Sequence, residues 1–177
     1  MMRKAGVLFA LVFFFSAAAA AQATPKVEVF GGYSNLFANL NNSSYNLNGV
    51  HVSAAENVNS WFGGVLDFSS HFGSNAGLNV NTQWIMYGPR FAYRKSSAIT
   101  PSVHVLFGGV RGSRGFEGIS EANWRFAVGL GGDIDVRIND RVALRLVQAD
   151  YLPTHFLNLR QDNLRLSAGL VFRFPHW

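Results

Sequence analysis

The run NLRLSAGLVFRF, Asn163 to Phe174, limits what this chain can fold into more than any other stretch. Strand side chains alternate between two faces, so Leu164, Leu166, Leu170, Phe172 and Phe174 fall on one side of an extended backbone. Arg165, Ser167, Gly169 and Arg173 fall on the other. Such a segment needs an apolar partner on one face and a polar one on the other. A soluble sheet supplies both, and so does a bilayer outside a polar interior.

The start of the chain favours the second environment. Arg3 and Lys4 precede an apolar run from Ala5 to about Phe15, then Ser16, an alanine tract and the small-x-small triplet Ala21-Gln22-Ala23. This reads as a secretory leader, 1–23, whose apolar core is shorter than the ~20 residues of a membrane-spanning helix. Cleavage after Ala23 leaves one domain, 24–177, with 13 basic and 10 acidic residues. That charge is too mild to imply nucleic acid. With no cysteine, disulfides and thiolate metal sites are excluded. The rest of the chain has no apolar run of helix-spanning length, so entry into a bilayer requires a closed β-barrel.

Eight strands are expected, near 26–34, 47–57, 60–72, 82–94, 101–112, 122–138, 141–153 and 163–174. Short turns are predicted at Val58-Asn59, Lys95–Thr100 and Asn139-Asp140. Longer loops are predicted at Asn35–Asn46, Gly73–Asn81, Ser113–Glu121 and Thr154–Asp162. Short periplasmic turns alternating with long extracellular loops, with an even strand number, describe an all-β, eight-stranded antiparallel up-and-down transmembrane barrel.

Parity then sorts the charges. Phe62, Leu66, Phe68 and Phe72 oppose Asp67, Ser69 and His71. Trp124, Phe126, Val128, Leu130, Ile134 and Val136 oppose Arg125, Asp133, Asp135 and Arg137. Ile85, Tyr87, Phe91 and Tyr93 oppose Arg90 and Arg94, and Val103, Val105 and Phe107 oppose His104. Leu144 and Leu146 oppose Arg145, with a phase slip at Val147–Asp150 that predicts a bulge. Eight strands enclose room only for side chains. The expected lumen network is therefore Glu28, Asp67, Asp133 and Asp135 with Arg90, Arg125, Arg137, Arg145, Arg165 and Arg173, beside His104. It closes the lumen without a diffusion pore. Tyr33, Trp61, Trp84, Tyr93, Trp124, Tyr151 and Trp177 are candidates for interfacial girdles.

The leader, the opening strand KVEVFGGYS, the hairpin WRFAVGLGGDIDVRINDRVALRLVQADYL and the terminal NLRLSAGLVFRF resemble the OmpA-type family of small outer-membrane β-barrels, the outer-membrane protein β-barrel domain family. The resemblance covers the whole mature chain. It implies an outer-membrane location, contact with outer-membrane lipid, and a role in envelope integrity, adhesion or surface interaction. It also implies assembly by the barrel-assembly machinery through a terminal strand ending in an aromatic, Phe174 or Trp177. The peptidoglycan-binding domain of some relatives does not follow, so cell-wall anchoring is not expected.

No cofactor and no catalytic centre are expected. Asp67 and His71 stand about 13 Å apart along one strand, too far to share a metal unaided. His51, His155 and His176 are scattered. Serine occurs in neither a Gly-x-Ser-x-Gly nor a Ser-x-x-Lys pattern. FGGVRGSRG, with Arg111 and Arg114, reads as an outward loop able to meet an extracellular ligand, lipopolysaccharide phosphate being the sharper option. The sequons in Asn41-Asn42-Ser43-Ser44 read as a polar loop. The alternative to a membrane barrel is a soluble, exported lipocalin-like barrel, which needs its apolar face inside. A lipid-modifying membrane enzyme is a third class, for which no triad can be assembled.

Overall fold

The computed structural model describes residues 24–40, 43–75, 78–95, 98–116, 119–156 and 159–174. The predicted leader, Asn41-Asn42 and Pro175-His176-Trp177 lie outside them. Eight antiparallel strands close into one barrel: β1 (Val27–Leu40), β2 (Ser43–Asn57), β3 (Phe62–Asn75), β4 (Leu78–Ala92), β5 (Ile99–Phe116), β6 (Ile119–Arg137), β7 (Val142–Phe156) and β8 (Leu159–Phe174). Each strand pairs with its sequence neighbour, and Val27 opposite Phe174 starts the β1–β8 seam. The weakest predicted strand, through His51 and Ser53, is β2.

One correction concerns the connections. The four segments expected as long loops are mostly strand: β1 runs to Leu40 and β2 begins at Ser43, and the other three hairpins extend in the same way. Turn-rich composition (Asn, Gly, Ser) signals loops, but here the hairpin ladder continues through these residues. Two turns at the terminal end, β2–β3 and β6–β7, are tight and share one chemistry. Asn59 Oδ1 accepts from the backbone N–H of Trp61 and Phe62 (2.9 and 2.8 Å), and Asn139 Oδ1 accepts from Arg141 and Val142 at the same distances. These Asx side chains hold the chain reversal that a strand backbone alone does not.

The wall is apolar outside. Leu66, Phe68, Ile85, Tyr87, Val103, Phe107, Phe126, Leu130, Leu170 and Phe172 are between 41 and 71 % exposed. So large a continuous apolar surface does not belong in water, where monomers rarely expose patches beyond about 300–600 Å². It reverses the polarity a lipocalin-like barrel requires. The band is edged by Trp61, Phe91 and Tyr93 at the terminal end, with Trp61 stacked on Phe91 (centroids 6.0 Å apart). Tyr33, Trp124 and Tyr151 edge it on the far side. Beyond Tyr33 polar groups join the outward face alongside exposed Phe37: the Tyr33 hydroxyl donates to Asn48 Oδ1, to which Asn35 also donates. In β8 the band runs over the eleven residues Leu164–Phe174, matching the ~9–11 that a tilted strand needs to cross a bilayer. The strands thus outrun the membrane, and the far hairpins project beyond it.

Trp84 is the second correction. It does not join a girdle; it is buried inside the barrel, and its Nε1 has no hydrogen-bond partner. Its even number in β4 matches inward-facing Arg90, so parity overrode the preference of tryptophan for interfaces. Trp84→Phe is expected to leave stability within about 1 kcal/mol of the parent. Losing a buried orphan donor relieves about 1–3 kcal/mol and offsets the smaller ring. Urea titration in micelles checks this, and a loss above about 3 kcal/mol would show that the indole N–H is bonded.

Candidate functional site: the barrel interior and its rims

Among the described residues the interior holds five carboxylates and five guanidinium groups: Glu28, Asp67, Asp133, Asp135 and Asp150 against Arg90, Arg94, Arg145, Arg165 and Arg173. Equal numbers matter because a buried charge is tolerated only when paired and hydrogen-bonded. None of these side chains is more than 12 % exposed.

The ions form two groups. Near the terminal end, Glu28 accepts from Arg90 and Arg94 (2.7 Å each) and from Arg173 (3.1 Å). Arg90 bridges onward to Asp133 at 3.1 Å, and Arg145 grips Asp135 through Nε and Nη2 at 2.8 and 3.1 Å. The Arg145 guanidinium also lies 4.6 Å from the Phe30 ring centroid, a cation–π contact. Deeper, Arg165 makes a bidentate pair with Asp67 (2.8 and 3.0 Å) and also holds Asp150 at 2.8 Å and Ser69 at 2.7 Å. His51 donates to Asp67 across 2.6 Å.

His104 and Gln148 join the two groups. His104 Nε2 sits 2.6 Å from Asp150, and its Nδ1 is 3.8 Å from Asp133. Gln148 accepts from Arg145 and donates to Asp150. Gly131 makes the first contact possible: a Cβ there would stand 2.0 Å from Asp150 Oδ1 and 2.7 Å from His104 Nε2.

Toward the far end the inward face changes character. Leu36, Leu47, Trp84, Met86, Leu106, Val110, Ala127 and Leu152 pack into an apolar layer above the ions. The expectation of a lumen closed by ion pairs alone is therefore incomplete. Met86 shares parity with Arg90, Leu106 with His104 and Leu152 with Asp150, so each strand changes chemistry along one face. Between the layers, His71 Nε2 bonds Ser34 Oγ at 2.9 Å, while His71 Nδ1 and Thr82 Oγ1, on directly opposed residues, have no partner. A void of about 10 Å³ among Glu28, Phe30, Asp67, Arg90, His104 and Arg145 has room for about one water. Among the described residues no group of three His, Asp or Glu side chains is arranged to hold a metal ion.

Nine of the eleven residues expected in the network come together: Glu28, Asp67, Arg90, His104, Asp133, Asp135, Arg145, Arg165 and Arg173. Two do not. Arg137 is exposed at the tight turn and pairs with Asp140. Arg125 has inward parity but stands exposed eight residues along β6 from Asp133, roughly 26 Å at the strand rise, near the far rim. Asp150, Gln148 and His51 are members that the sequence did not mark, and Arg94, on the lumen face by parity, joins them from outside the expected network. Asp150 and Gln148 were hidden by the bulge, which shifts register between Arg145 and Gln148 and moves inward-facing positions from odd to even numbers.

Comparison with known proteins agrees with this architecture. Residues 7–172 match the family described as Outer membrane protein beta-barrel domain. No curated protein matches the chain. Among solved structures, Neisserial surface protein A superposes with a TM-score of 0.74 at 15 % identity, covering 84 % of this chain and 97 % of that one. Ail, the attachment invasion locus protein of Yersinia pestis, superposes at 0.59 with 14 % identity, covering 84 % and 99 %. OprG from Pseudomonas aeruginosa gives 0.54 at 10 % identity, covering 88 % and 99 %. Ail has also been solved in complex with the heparin analogue sucrose octasulfate. At these identities the likeness is one of fold.

Proposed function

The chain belongs to the Outer membrane protein beta-barrel domain family, and from that premise we propose that it is a sealed barrel with a structural or surface-interaction role. In this reading its wall serves envelope integrity and its projecting hairpins meet the outside. The observation that carries the reading is the filled interior: ten paired charges beneath an apolar layer, with a void of about 10 Å³ among the ions. That architecture supports neither a diffusion pore nor an interior ligand pocket.

The far rim is the face available to partners. Arg111 is exposed there on the outer side of β5, directly opposite Trp124 of β6, and Arg125 is exposed on the neighbouring register position. A guanidinium beside an interfacial aromatic, with a second on the lumen side of the same rim, suits anionic partners such as lipopolysaccharide phosphate or sulfated sugars. The heparin-analogue complex of Ail is a precedent in fold alone. The leader at 1–23 directs export, and the terminal strand, with Phe172 and Phe174 outward, is the element the barrel-assembly machinery reads. The protein carries out no catalysis in this reading.

Heat modifiability tests it. The full chain, extracted in detergent from expressing cells, is expected to migrate faster on a gel unboiled than boiled, and to give no steady channel in planar bilayers. A persistent conductance on insertion would overturn the sealed-lumen reading, and the lack of a shifted band would overturn the barrel reading.

A further inference from the structure

The outer wall carries a depression that neither the sealed lumen nor the far rim explains. A groove of about 520 Å³ lies across β1–β4 near the terminal end, within the ~300–1,000 Å³ of small-molecule sites. Two cross-strand rows shape it. One is Val27–Glu56–Gly64–Pro89, and the next is Val29–Ala54–Leu66–Tyr87. Ala54 and Gly64 make the floor shallow, while Leu66 and Tyr87 stand up as its sides.

Its polar groups stand at the terminal edge of the apolar wall, at the level of the headgroups. Glu56 is exposed on the outward face, one residue before the strand ends, with no ion-pair or hydrogen-bond partner among the described residues. Between the two girdles it is the one outward-facing carboxylate among them. The Tyr87 hydroxyl reaches into the same row: it lies 2.6 Å from where a Gly64 Cβ would be, directly across from Glu56. Gly64 therefore lets a hydroxyl approach a carboxylate at the mouth of an apolar groove.

We infer that this groove binds a zwitterionic, amine-headed glycerophospholipid from the leaflet at the terminal end of the barrel. An acyl chain lies along Ala54, Leu66 and Tyr87. The primary ammonium is held by the Glu56 carboxylate and the Tyr87 hydroxyl. A carboxylate facing lipid selects for the ammonium and against an anionic headgroup such as phosphatidylglycerol. The inference rests on the barrel reading above.

Native mass spectrometry of the full chain, extracted in detergent and supplied with phosphatidylethanolamine or phosphatidylglycerol, tests it. The parent is expected to retain phosphatidylethanolamine about three- to fivefold better, the scale of one exposed ion pair. Glu56→Gln should bring the two lipids to parity. Ala54→Leu, which fills the groove while keeping the wall apolar, should remove retention of both. The gel shift is read on the same samples, so a chain that fails to form a barrel overturns the barrel reading and this one with it. With the barrel intact, the proposal is overturned if Glu56→Gln keeps the parent's preference or if Ala54→Leu retains lipid as the parent does.

Discussion

Arg165→Met is expected to cost about 3–5 kcal/mol of barrel stability, the penalty for breaking a buried ion pair from one side. Arg165 is fully buried and holds Asp67 through two hydrogen bonds, Asp150 at 2.8 Å and Ser69 at 2.7 Å. Methionine fills similar space but leaves both carboxylates without their cation. The triple variant Arg165→Met, Asp67→Asn, Asp150→Asn removes the stranded charges along with their partner. It should recover most of the loss, since a whole buried network is replaced at far lower cost than half of one. Urea unfolding in micelles, followed by the fraction of the fast-migrating band, measures both. A single variant within about 1 kcal/mol of the parent, or a triple as damaged as the single, would show that the network contributes little to holding the barrel.

The two groups of ions explain why Arg165 is the sensitive position. Glu28 has three guanidinium partners, so loss of Arg94 or Arg173 leaves it paired. Asp133 and Asp135 both contact Arg90 and Arg145. Asp67, by contrast, has Arg165 as its one guanidinium partner among the described residues, with His51 as the other ion-pair partner. Removing one node is absorbed near the terminal end and is not absorbed deeper in the lumen.

How much of this was legible follows from what period-two alternation can carry. It placed Arg90, Asp133, Arg145 and Arg165 on one side and Phe126, Leu130 and Leu170 on the other, because a bilayer enforces that separation along every strand. Alternation says nothing about height along the strand. Arg125 has the inward parity of Asp133 yet stands at the far rim, and Arg137 overshoots into a turn. It is equally blind to layering: Leu106 and Met86 share parity with His104 and Arg90, so the apolar layer over the ions was invisible. Asp150 was lost to the bulge, since one inserted residue reverses parity for everything after it. The far hairpins resemble loops in sequence because Asn, Ser and Gly mark turns in water. Beyond the membrane those residues satisfy a ladder as well as any others.

The face assignment makes a further quantitative demand. Leu130 is 59 % exposed on the outer wall of β6, between Trp124 at the far girdle and the tight turn that begins at Ile138, with Val105 and Tyr151 beside it. Leu130→Arg puts a guanidinium near the bilayer midplane and is expected to cost about 2–4 kcal/mol. The same change at Phe174, close to the terminal girdle, should cost only about 0–1 kcal/mol because the side chain reaches the headgroups. Ala127→Ser tests the opposite face. Ala127 is buried in the apolar layer with Leu106 and Met86, so the added hydroxyl is a packing and desolvation matter of about 1–3 kcal/mol. The depth gradient is the discriminating feature, because simple disruption of a strand would not follow distance from the midplane. Insertion into vesicles, read as folded fraction against urea, should rank the variants parent, Phe174→Arg, Ala127→Ser, Leu130→Arg from most to least stable. If Leu130→Arg inserted as well as Phe174→Arg, the band between the aromatic girdles would not be the membrane-spanning surface.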